Sequence, residues 1–111
     1  LDAVIDYYYP LLERFGDELE QLEDRAISDP DPEVISQVHI LKQHLLGIRR
    51  TVWPMREAMN TLIRDESHLI ADETRLYLRD CYDHAFQILD LVETYREICA
   101  DIRDIYLSSI S

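Results

Sequence analysis

Residues 78–106 read LRDCYDHAFQILDLVETYREICADIRDIY, and their spacing decides the fold. Leu78, Cys81, Ala85, Ile88, Val92, Tyr95, Cys99, Ile102 and Tyr106 follow one another at alternating steps of three and four. That step keeps small and apolar side chains on one narrow stripe of an α-helix, the seam along which helices pack lengthwise. A strand would instead alternate its side chains between two faces. Extended in register, the stretch predicts a helix near 74–111, about 38 residues and roughly 57 Å of rod. A compact domain of similar size has a radius of gyration of only about 13 Å. Leu91, Ile98, Ile105 and Ile110 also widen the apolar stripe beyond one seam. Sister copies, or further parts of the polypeptide, are expected to cover what remains.

Two upstream segments carry the same step. Leu1, Ile5, Tyr8, Leu12, Phe15, Leu19, Leu22 and Ala26 predict a helix near 2–27. Val34, Val38, Leu41, Leu45, Ile48, Val52, Met55, Met59 and Leu62 predict another near 32–65. Between them SDPDPE (28–33) offers Asp31 as an N-cap and Pro32 at the first helical position. A polar connection, RDESHLIADET (64–74), precedes the third helix. Short connections make neighbouring helices antiparallel. The expected fold class is therefore all-α: one helical region, 1–111, in which an antiparallel helical hairpin packs along an extended stalk helix. Pro54 is expected to kink the second helix, and Pro10 to kink the first or delay its start. The chain opens on Leu1 and closes on YLSSIS, both in helical register, which reads as a piece of something longer.

Composition narrows the function. The 111 residues carry a net charge of −12, with one lysine, Lys42, beside ten arginines. Such a surface repels nucleic acid and anionic membrane surfaces and attracts cations or basic partners. Cys81 and Cys99, roughly 27 Å apart along one helix, cannot form a disulfide with each other; both fall on the seam as small core side chains. No apolar run approaches the ~18 residues of a membrane span.

The acidic residues of the third helix raise the chemical question. In RDCYDH (79–84), Asp80 stands three residues before Asp83 and four before His84, so all three can look to one side. Carboxylate oxygens suit Mg2+, and the imidazole would admit a softer ion such as Co2+ or Zn2+. The same residues also serve as ordinary helix surface, with Arg79 paired to Asp83. Asp83, Asp90, Glu97 and Asp104 recur every seven residues opposite the seam, with Asp80 and Asp101 one turn before the two ends. Either they form a solvated outer face, or symmetry copies around an axis turn them into rings of carboxylates that concentrate cations. Catalysis finds no support: there is no Glu-x-x-His pair, no glycine-rich phosphate loop and no Cys/His nucleophile arrangement. His39, His44 and His68 read as surface or seam-edge residues, and Tyr7–Tyr9 and Trp53 as core or subunit contacts.

Three runs carry a resemblance. LKQHLLGIRRTVWPMREAMNTLIRDE (41–66), ETRLYLRDCYDHAFQILDLVETYREI (73–98) and DIYLSSIS (104–111) resemble the CorA magnesium transporter family. The resemblance implies the cytosolic helical section of a homopentameric inner-membrane channel for Mg2+, often also for Co2+ or Ni2+. An N-terminal α/β domain and two membrane helices of the same polypeptide would lie outside these residues. It further implies a regulatory Mg2+ site in which Asp80 meets an acidic residue of the neighbouring subunit. A second site would use Asp2, Asp80 and His84, with Asp83 close by. Asp104 would stand near the pore axis, with Asp90 and Glu97 further along the same strip. Leu76, Cys81 and Pro10 depart from the family's usual residues without touching Asp80. The competing expectation is a free-standing acidic helical oligomerisation module with no metal role.

Overall fold

The computed structural model describes residues 2–67 and 69–111. Leu1, at the head of the first seam, and His68 lie outside the described residues. The fold is all-α: α1 (Asp2–Ser28), α2 (Pro32–Ile63) and α3 (Asp72–Ile110). α2 runs antiparallel to both neighbours, and α3 packs against α1 and α2 more extensively than those two pack on each other. The body measures 63 × 19 × 15 Å with a radius of gyration of 18.0 Å, well above the ~13 Å of a compact domain of this size. No described helix is long and apolar enough to cross a membrane.

Local chemistry sets the helix ends. The Asp31 carboxylate accepts from the Glu33 amide at 2.8 Å, and Pro32 opens α2, where a missing amide proton costs nothing. α2 stops at Ile63, two residues short of the boundary read from the sequence. There Arg75 donates to the carbonyls of Ile63 (2.9 Å) and Ser67 (3.0 Å), satisfying an acceptor that the helix leaves open. Asp65 holds the Ser67 amide at 2.8 Å, which bends the chain out of the helix. α3 begins at Asp72 rather than Thr74, with Asp72 and Glu73 in the first turn, where negative charge opposes the helix dipole favourably. α1 continues through Pro10 instead of starting after it.

The seams meet in one elongated core without a buried polar or charged residue among those described. Ile5, Leu12, Val34, Leu45, Val52, Ala85, Ile88, Val92 and Ile102 are fully buried. Tyr8, Met55 and Tyr95 flank this core half-buried. Leu62, near the end of α2, is exposed. Gly16 makes room for the Tyr95 ring of α3: a Cβ there would lie 2.6 Å from the Tyr95 hydroxyl. The widened stripe is only partly covered. Leu91, Ile98 and Ile105 are half-buried, while Phe86, Leu107 and Ile110 stay exposed.

Candidate metal centre

α1 and α3 run parallel, and this alignment builds the site. Asp2 and Asp6 are one turn apart on α1 and share a side. Across the interface stands His84 of α3, and one ligand atom from each of the three lies within 4.8 Å of the others. The His84 Nδ1 is 3.9 Å from an Asp2 carboxylate oxygen. That nitrogen is shielded from solvent and has no hydrogen-bond partner, although the side chain as a whole is 42% exposed.

Tyrosines position the two sides. Tyr9 sets its ring edge-on to the imidazole, with centroids 6.2 Å apart. Its hydroxyl donates to Gln87 Oε1 at 3.0 Å and lies 3.4 Å from the His84 carbonyl oxygen. Burial, and then the negative charge of Asp6, push the Tyr9 phenol up from its ordinary value, so it remains a neutral donor. On the other flank the Asp2 amide donates to the Tyr77 hydroxyl oxygen at 3.1 Å. Two carboxylates and an imidazole make a mixed oxygen/nitrogen donor set. Hard Mg2+ would use the carboxylates and keep most of its waters, whereas Co2+ would also use the imidazole.

The residues expected to share this site are only partly brought together. Asp2 and His84 meet, and the carboxylate grouped with them is that of Asp6; Asp80 is not in this group. Asp6 lies one turn beyond Asp2 on α1, and the two together come within 4.8 Å of the imidazole. Asp80 and Asp83 are both exposed. An i,i+4 pair of aspartates, Asp2 and Asp6, was the available signal for Asp6; helix register across the interface was not readable from the chain.

The acidic strip of α3 is also exposed at Asp83, Asp90, Glu97 and Asp104, and Asp104 at its end borders a groove shared with α2. None of them, nor Asp80, forms a salt bridge with a described residue, and the expected Arg79–Asp83 pair is absent among them. The carboxylates that do pair along the rod lie elsewhere: Glu93 holds Arg96 at 3.0 Å and Arg49 at 3.5 Å.

Comparison with known proteins gives one consistent match. The family model described as "CorA-like Mg2+ transporter protein" matches residues 1–111. The chain is 45% identical to the cobalt/magnesium transport protein CorA of Thermotoga maritima, over all of this chain and 32% of that protein. It superimposes on the soluble domain of CorA from Methanocaldococcus jannaschii with a TM-score of 0.87 at 29% identity, covering 96% of this chain and 43% of that one. Against the complete CorA magnesium transporter of the same organism the TM-score is 0.88 at 29% identity, covering 96% of this chain and 34% of that one. The chain thus spans about a third of the length of the curated relative it matches.

Proposed function

Because this chain belongs to the CorA-like Mg2+ transporter family, we propose that it is the cytosolic helical and stalk segment of a divalent-cation channel in the cell's inner membrane. In this reading the channel is a homopentamer carrying Mg2+ and also Co2+ or Ni2+, and the segment contributes to assembly and to Mg2+-sensing gating. It has no catalytic role. The observation that carries the reading is the state of the α3 carboxylates: Asp80, Asp83, Asp90, Glu97 and Asp104 are exposed and unpaired among the described residues. They are available for ions shared between subunits.

Asp80 is the regulatory ligand in this scheme, completed by a carboxylate of a neighbouring subunit, with Asp83, His84 and Asp2 nearby. Asp6 joins Asp2 and His84 as an intrasubunit donor. Asp104 faces the pore axis, and Asp90 and Glu97 extend the ring system along the stalk. When Mg2+ is abundant it bridges like charges and favours the closed arrangement. An ion shifts such an equilibrium only through its different affinities for the two states.

The magnitudes are adequate. Two carboxylates about 4 Å apart repel by roughly 1 kcal/mol in water and about 4 kcal/mol at a protein surface. Moving a two-state equilibrium from one extreme to the other takes about 5.5 kcal/mol. Five equivalent bridges supply that comfortably. No single bridge has to be strong, so the site can empty when Mg2+ becomes scarce. Asp80→Asn in the full-length protein is expected to abolish most of the Mg2+-dependent protection from proteolysis. Unchanged protection would remove Asp80 from the gating scheme.

A further inference from the structure

One groove reverses the character of this acidic surface. Between α2 and α3, Ile35, Val38, Cys99 and Leu107 form an apolar floor and wall to a cavity of about 690 Å³. That is within the range of small-molecule sites. Three nitrogen-bearing side chains line it: His39 and Lys42 from α2, and Arg103 from α3. Lys42 is the only lysine in a chain of net charge −12. Neither it nor Arg103 forms a salt bridge with any described residue, although Asp104 lines the same groove. Elsewhere on the rod Arg25, Arg49, Arg56 and Arg96 pair with glutamates, while Arg14, Arg50, Arg64 and Arg79 form no salt bridge with a described residue. What sets Lys42 and Arg103 apart is that both line one apolar-floored cavity, whose cationic side chains outnumber its one carboxylate, Asp104, so the groove favours an anion from outside.

We infer that this groove binds an organic phosphate, its phosphoryl oxygens held by Arg103, Lys42 and His39 and its body laid on Val38, Cys99 and Leu107. Phosphate fits better than carboxylate because it offers three acceptor oxygens to three donor side chains, and arginine matches it in bidentate geometry. The floor contributes affinity that a bare inorganic ion cannot use. Asp104 opposes the anion, so it tunes occupancy downward. A soluble nucleotide and a phospholipid headgroup present the same chemistry.

The groove is tested on the intact chain by calorimetric titration with adenosine monophosphate and with inorganic phosphate, and by co-sedimentation with phosphatidylglycerol vesicles. Saturable binding of the nucleotide, tighter than that of inorganic phosphate, identifies a soluble organic phosphate as the source. Vesicle binding without a nucleotide response identifies the headgroup. In either case Arg103→Gln and Lys42→Gln are each expected to weaken binding by about tenfold, the loss of one charge-assisted hydrogen bond. Asp104→Asn is expected to tighten it. All three positions are on the exposed surface, so the variants keep the fold, and circular dichroism checks this. Absence of binding to all three probes, or binding indifferent to Arg103→Gln and Lys42→Gln, overturns the inference. A weaker complex in Asp104→Asn would do the same, since it would mean that the groove collects cations.

Discussion

The two sides of α3 share one seven-residue rhythm and differ in everything else. The inner side carries Cys81, Ala85, Ile88, Val92, Cys99 and Ile102, all buried against α1 and α2. The outer side carries Asp83, Asp90, Glu97 and Asp104, all exposed and without a partner among the described residues. The inner stripe is satisfied within the chain and holds the rod together. The outer stripe forms no salt bridge with a described residue, which leaves it free for the ions shared between subunits in the proposed scheme. On the proposed function, stability and gating are separated by half a turn of one helix, and the first way to break the comparison is to mutate the two sides in parallel. Ile88→Ala is expected to cost about 2–5 kcal/mol, from lost transfer energy and an imperfectly closed cavity. Asp90→Ala should stay within about 0.5 kcal/mol of the parent, as surface substitutions do. Urea unfolding measures both, and a comparable loss at Asp90 would show that the outer strip has a structural partner after all.

This division explains what the chain revealed before its structure. Fold class was legible because the 3,4 step depends only on residues within one helix; Leu78 through Tyr106 declare their own buried side. The same holds for the outer strip, whose exposure follows from the seam. The candidate metal centre was only half legible. His84 is legible from its spacing to Asp80 and Asp83, and Asp2 through a family resemblance, but Asp6 emerges only when α1 is laid beside α3 at a particular offset. That offset depends on how side chains fit across the interface, as where the Tyr95 ring meets Gly16, and no periodic pattern encodes it. The end of α2 escapes the periodic pattern for a similar reason, since Arg75 reaches its last carbonyl, that of Ile63, from twelve residues away in sequence.

The offset can itself be challenged. Gly16→Ala places a methyl 2.6 Å from the Tyr95 hydroxyl, so the ring or the helix has to move. Overpacking of this kind costs about 1–3 kcal/mol, partly countered by alanine's advantage of about 1 kcal/mol over glycine within a helix. The net expectation is a modest destabilisation, read as a lower urea midpoint. Tyr95→Phe in the same chain removes the clashing oxygen and should restore or exceed the parent stability. If the double variant is as unstable as Gly16→Ala alone, the clash is with backbone and the register is set elsewhere. Co2+ titration of the single variant sharpens the comparison further: a shifted α1 would pull Asp2 and Asp6 away from His84 and weaken binding, without any change to the outer strip.

The smallest effect concerns pH, and it separates the α1–α3 contact from the outer side once more. The Tyr95 phenol is pushed up from its ordinary value by burial and then by the charges of Asp17 and Glu13. Tyr9 is pushed up by burial and then by Asp6. For a group raised in the folded state, the stabilising difference is fully present below the unfolded value, about 10 for tyrosine. It is lost as pH rises through the folded value, because the unfolded chain sheds its proton first. Stability is therefore expected to fall above about pH 10, with these two phenols responsible for part of the decline. Both tyrosines are only partly buried, so the decline is shallow. Urea midpoints measured across the alkaline range should drop less steeply in Tyr95→Phe than in the parent. Removing an outer carboxylate such as Asp90 should leave the slope unchanged. Equal slopes in the parent and Tyr95→Phe would mean that the phenol ionises freely in the folded protein, and that the α1–α3 contact is looser than its packing implies.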